Sequence, residues 1–111
     1  MNAYVNQRIS QYFQEDKENQ KNNYAIKTVL KYLNEHLGDK RISIQMLADL
    51  VYLTPTYLSG VFKKNTGLTI GQYLTKVRME KAKEYLTNPG FKLYQISAMV
   101  GYEDANYFAK I

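Results

Sequence analysis

Between Ser43 and Lys64 the chain reads SIQMLADLVYLTPTYLSGVFKK, and this stretch narrows the possible folds more than any other. Ile44, Leu47, Ala48 and Val51 recur at three- and four-residue spacing, the apolar stripe of a short amphipathic helix. Ser43 precedes them as an N-cap whose hydroxyl can accept from a first-turn N–H that has no helical partner. Tyr52-Leu53 interrupts the pattern. Thr54-Pro55 restarts it with a second cap and a proline at the first helical position, where the missing N–H costs nothing. The second helix is expected to turn Tyr57, Leu58, Val61 and Phe62 inward and Thr56, Ser59, Gly60, Lys63 and Lys64 outward.

A short apolar helix, a tight turn and a second helix with a polar, basic outer face make a helix-turn-helix pattern. Such a pair also occurs as plain packing in all-α cores, so alone it leaves both readings open. At 111 residues the chain amounts to one domain with a modest core. It has no Cys, which removes disulfides and thiolate metal sites and fits a reducing compartment. No apolar run approaches the roughly 18 residues of a membrane span, and the N-terminus lacks a signal-peptide core, so a soluble, cytoplasmic protein without a membrane partner is expected. The formal charge of +5 favours a polyanionic partner. Catalysis is not expected. His36 is the only His, no carboxylates cluster as an acid–base pair, and no glycine-rich phosphate loop appears. Neither a cofactor nor a metal is expected.

Residues 1–23 are polar, with a short stripe of Val5, Ile9, Tyr12 and Phe13. They read as a linker or frayed helix, or as the stub of an upstream domain or a dimer contact. From Tyr24 to Leu37, Ile26, Val29, Leu30, Leu33 and Leu37 hold a helical period, and Gly38 is expected to close it as a left-handed C-terminal cap. Asn65-Thr66-Gly67 is a second stop, and Thr69-Ile70-Gly71-Gln72 has the form of a capping box. A long helix follows to about Thr87, with Ile70, Tyr73, Leu74, Val77, Ala82, Tyr85 and Leu86 inward. Its outer face carries Lys76, Arg78, Lys81 and Lys83 against Glu80 and Glu84, with Lys76–Glu80 and Glu80–Lys83 one turn apart. Asn88-Pro89-Gly90 ends it.

The tail repeats the opening motif. Leu47, Ala48, Val51 and Leu53 correspond to Ile96, Ser97, Val100 and Tyr102, and Tyr57, Leu58, Ser59 and Val61 to Tyr107, Phe108, Ala109 and Ile111. The offset steps from 49 to 50 residues between the two sets, so the second turn is expected to hold one extra residue. Small residues recur at Ala48 and Ser97, where two helices must approach closely. The helix between the units, Thr69 to Thr87, spans roughly 28 Å, near the ~34 Å of one turn of B-DNA. Two recognition helices at the ends of such a strut can enter successive major grooves on one side of a duplex.

The segments ISIQMLADLVYLTPTYLSGVFKKNTGLTIGQYL, VRMEKAKEYLTN and KLYQISAMVGYEDANYFAKI resemble the C-terminal DNA-binding domain of the AraC/XylS family of transcription regulators, over about Tyr24 to Ile111. The version fused behind receiver domains in two-component response regulators is the most similar. The resemblance implies an all-α fold of two helix-turn-helix units joined by a long central helix, with a first unit at 24–68, the connecting helix at 69–87 and a second unit at 88–111. It implies promoter DNA as partner, with RNA polymerase and an upstream receiver or sensory domain as further partners. By position it places Thr56, Ser59 and Gly60 at base edges and Lys63 and Lys64 nearer the phosphates, with Ala105, Asn106, Ala109 and Lys110 on the corresponding face of the second unit. Asn106 suits an adenine edge, and Lys110 a guanine edge or a phosphate. Gly60 stands where relatives often carry Arg, so the first reader is expected to be poor in base contacts. The family pattern also continues past Ile111, so the second unit is expected to be incomplete.

Lys63 and Lys64 are therefore expected to meet DNA, Lys81 and Lys83 to lie on a solvated helix face, and Tyr57 and Tyr107 to belong to the core. The alternative is a helix-turn-helix module that docks on another protein, such as RNA polymerase or a sensory domain, and touches DNA weakly.

Overall fold

The computed structural model describes residues 3–102, with side chains from residue 17 onward. Five helices follow one another: α1 (Ala3–Glu35), α2 (Ile44–Leu50), α3 (Pro55–Thr66), α4 (Ile70–Leu86) and α5 (Leu93–Met99). No strand occurs among the described residues. The all-α architecture matches expectation, with α2 and α3 forming the first helix-turn-helix, α4 the connecting helix and α5 opening the second unit. None of the described helices is long and apolar enough to cross a membrane.

Helix boundaries follow local chemistry. Ser43 Oγ accepts from Met46 N at 3.1 Å and Thr54 Oγ1 from Tyr57 N at 3.2 Å, with Pro55 opening α3. At α4 the capping box is reciprocal: Thr69 Oγ1 accepts from Gln72 N at 3.1 Å, and Gln72 Oε1 accepts from Thr69 N at 2.9 Å. Each such cap is worth on the order of 1 kcal/mol. Gly67 ends α3 at φ 79°, left-handed as glycine permits. α1 crosses position 24 unbroken, because no Gly or Pro interrupts it before Glu35. Its 33 residues amount to about 50 Å of helix. Between residues 17 and 24 every side chain is exposed except the half-buried Asn22, and burial begins at Ala25.

Two cores lie along α4. The first joins Ile26, Val29 and Leu33 of α1, Leu47 and Ala48 of α2, Leu58 and Phe62 of α3, and Ile70 of α4. The second gathers Ala82, Ile96 and Val100, with Leu37, Met79, Tyr85 and Tyr102 packed against them. Ala48 and Ser97 are both fully buried, as close helix approach requires. Three residues expected inward are not. Ile44 and Tyr57 sit on the rim at 42% and 40% exposure, and Leu86, the last residue of α4, is 58% exposed. The salt bridge formed on the outer face of α4 joins Lys81 Nζ to Glu84 Oε2 at 2.9 Å, rather than the expected Lys76–Glu80 or Glu80–Lys83 pairs.

The turns of both units share one backbone design. After α2, Leu53 N donates to Ala48 O at 3.0 Å and Tyr52 N to Asp49 O at 3.3 Å. After α5, Tyr102 N donates to Ser97 O at 2.9 Å and Gly101 N to Ala98 O at 3.2 Å. Each pair is the Schellman closure of a helix, with its left-handed residue at Tyr52 (φ 58°) or Gly101 (φ 93°). The repeat thus holds residue for residue at offset 49 up to Leu53 and Tyr102. The expected extra residue would fall beyond Tyr102, outside the described residues.

A joint holds the two units together. Gly38 is not left-handed, contrary to expectation. A Cβ there would collide with the Met99 carbonyl oxygen, so this glycine serves close backbone approach between the loop after α1 and the end of α5. Arg78 was expected on the outer face of α4, yet it turns into the same joint. Its Nε donates to Leu37 O at 2.7 Å and its Nη2 to Asp39 O at 3.1 Å. The guanidinium lies over the Tyr102 ring, 5.5 Å from the centroid. A helix that must supply a donor to loop carbonyls beside a packed ring has no reason to leave that arginine in water.

Candidate nucleic-acid interface

The outer face of α3 is built by exclusion. Leu58 and Phe62 fix which side of the helix is sealed, and the residues on the opposite side of the helical wheel are left to solvent. Thr56, Gly60, Lys63 and Lys64 are exposed and Ser59 is half-buried, so all five expected residues share the accessible side. Ser59, Gly60, Lys63 and Lys64 line a shallow concavity of about 690 Å³ with Ile44 and the start of α4 at Thr69, Ile70 and Gly71. Nothing lies within 4 Å of where a Gly60 side chain would begin, so the absence of a side chain leaves the backbone open to solvent. Lys63 and Lys64 occupy the last turn of α3, where the helix dipole favours cations. The concavity therefore presents positive charge, hydroxyls and open backbone together, a surface suited to a polyanion.

Ala105, Asn106, Ala109 and Lys110, together with Tyr107, lie outside the described residues. The second recognition face is represented here by what precedes it, α5 and its Schellman turn.

Two features escaped sequence reasoning. Tyr57, expected in the core, is instead tied to α1: its hydroxyl accepts from Asn22 Nδ2 at 3.0 Å and lies 3.4 Å from Glu18 Oε1. Glu18, Asn22 and Ile26 are successive i,i+4 positions, so the row that buries Ile26 in the core carries Asn22 and Glu18 to the start of α3. The second is Arg78. Leu74, Arg78 and Ala82 form another i,i+4 row, an arginine set inside an apolar stripe, and that was the available signal. Burial pulls its guanidinium below the ordinary arginine value, with Tyr102 and Asp39 acting in the opposite direction. It stays charged all the same, because arginine does not lose its proton in proteins. At the edge of the joint, Asp39 accepts from Arg41 N at 2.8 Å and from Arg41 Nε at 3.2 Å. The backbone hydrogen bond, more than the charge of Arg41, holds its carboxyl below the usual value.

Comparison with known proteins agrees with this geometry. A family model described as "Helix-turn-helix domain" matches residues 47–111. The C-terminal domain of the two-component response regulator yesN from Fusobacterium nucleatum is 37% identical, with a TM-score of 0.72 over 76% of this chain and 87% of that one. The C-terminal domain of AraT, a response regulator from Geobacillus stearothermophilus, is 29% identical, with a TM-score of 0.74 over 78% of this chain and 71% of that one. The regulatory protein PocR of Salmonella typhimurium is 31% identical over 86 residues, 78% of this chain but only 28% of PocR. The chain thus spans about a quarter of that relative's length. With the family model matching residues 47–111 and a solved domain 37% identical over 87% of its length, the chain belongs to the AraC/XylS family of helix-turn-helix transcription regulators.

Proposed function

We propose that this domain reads promoter DNA in the major groove, with α3 as the recognition helix of the first unit and the segment bearing Ala105, Asn106, Ala109 and Lys110 as that of the second. The observation that carries the reading is the accessible side of α3, where hydroxyls, open backbone and two lysines meet in one concavity. Thr56 and Ser59 face base edges, Lys63 and Lys64 neutralise phosphates, and Gly60 trades a side-chain base contact for close backbone approach. α4 is the strut. Its 17 residues span about 25 Å, short of one ~34 Å turn of duplex by an amount the recognition helices can cover. Because yesN and AraT are response regulators, we infer a receiver domain upstream, with α1 as the connection to it. RNA polymerase contact is part of the same proposal.

Fluorescence anisotropy against duplexes selected from a randomised pool, at about 50 and 200 mM salt, tests this. Specific binding should weaken steeply with salt, and Lys63→Ala or Lys64→Ala should each lower the slope of log K against log salt by about 0.9. Binding indifferent to salt and to both substitutions would return the chain to the protein-docking alternative.

A further inference from the structure

We propose that Arg78 is the positioning residue that sets the angle and separation of the two helix-turn-helix units, and so the half-site spacing that the domain accepts. The proposal rests on the DNA reading for its second part only.

Three elements converge on this side chain. Arg78 leaves the central helix and bonds Leu37 O and Asp39 O, carbonyls of the loop that leads from α1 into the first unit. Its other surface meets the second unit, over the ring of Tyr102 and against Gly101. A Cβ at Gly101 would stand 2.8 Å from the guanidinium, so the second turn leaves room for this group. Between those two carbonyls in the chain, Gly38 lets the same loop touch the backbone of Met99. The first unit's loop and the second unit's turn are thereby referred to one planar, rigid fork. Lysine cannot replace it, because a single ammonium on a flexible stem has no fixed geometry with which to hold two separate carbonyls under a ring. The joint borders the second core, where Leu37 and Tyr102 pack, while the first core lies elsewhere along α4, so Arg78 governs how the units sit relative to each other more than whether the first one folds.

The absence of Cys makes the test clean. Spin labels at Asp49→Cys and Ala98→Cys occupy matched, exposed positions of the repeat. The otherwise unaltered chain should give one narrow inter-label distance. Arg78→Met should broaden or shift it with helical content retained, and Arg78→Lys should not restore it. Gly101→Ala, which keeps the arginine but displaces it, should do the same and serves if Arg78→Met does not fold. A distribution in Arg78→Met, or failing that in Gly101→Ala, that superimposes on the parent would overturn the proposal.

A second arm uses duplexes carrying sites for both units or for the first alone. Arg78→Met should lose tenfold or more on the double site, nothing on the single one, and the parent's discrimination against a one-base-pair insertion between sites. Equal losses on both duplexes would make Arg78 merely structural and sink the positioning role. If the parent chain binds neither duplex, the DNA reading fails while the inter-label distances still judge Arg78.

Discussion

The turn after α2 and the turn after α5 make the same two hydrogen bonds, yet one places a tyrosine and the other a glycine at the left-handed position. Tyr52 is 90% exposed, with its ring in solvent. Gly101 is buried against Arg78. A left-handed conformation costs an L-residue about 1–2 kcal/mol, and the first turn, whose Tyr52 stands 90% exposed, bears that cost without burying the side chain. In the second turn the conformational cost is joined by a steric one, and only glycine escapes both. The backbone pattern is thus local and duplicated, whereas the residue that fills it is chosen by what arrives from elsewhere in the fold.

Substitutions at matched positions put this contrast to the test. The largest effects belong to Leu47→Ala and Ile96→Ala, both fully buried and 49 residues apart. Each should cost about 2–5 kcal/mol in urea titration. Hydrogen exchange should separate them, with protection lost through α1, α2 and α3 for Leu47→Ala but only in α5 and the end of α4 for Ile96→Ala. Uniform loss in both would mean that the two units fold as one body.

Gly101→Ala comes next, at about 2–4 kcal/mol, combining left-handed strain with displacement of the guanidinium. In an Arg78→Met background that cost should fall to about 1–2 kcal/mol, the strain alone. Additivity in this double-mutant cycle would show that the approach of Arg78 does not dictate the glycine.

Ser97→Ala removes the hydroxyl that donates to Tyr102 O at 3.0 Å and should cost about 0.5–1.5 kcal/mol by thermal melting. Its counterpart Ala48 shows that the turn closes without that bond. The smallest effect, and of opposite sign, is expected at Tyr52→Gly. Relief of left-handed strain outweighs the added freedom of the unfolded chain, raising stability by up to about 1 kcal/mol. A clear loss there would mean that the exposed ring holds something in place.

Legibility in the sequence followed the range of the interaction. Ser43, Thr54 and the Thr69–Gln72 box were readable because a cap is satisfied by backbone three residues away. The duplicated stripe gave the buried pairs Leu47/Ile96 and Ala48/Ser97 for the same reason. Tyr57 and Leu86 were misplaced because a helical period identifies a stripe without its edges, and the partner helix decides where cover ends. At the candidate interface, Thr56, Gly60, Lys63 and Lys64 were legible as the side that Leu58 and Phe62 leave uncovered, whereas the Tyr57–Asn22 bond joins residues 35 apart and was not.

Local chemistry along the chain set the helices, their N-caps, the repeated turn and the outward face of α3, since each depends on residues within one or two turns of one another. Long-range packing turned Arg78 inward, made Gly38 a contact rather than a cap, and left Gly101 no freedom to be anything else. These three depend on segments some 20 to 60 residues apart in the chain meeting at one joint, and no local preference of an arginine or a glycine encodes which neighbour will arrive.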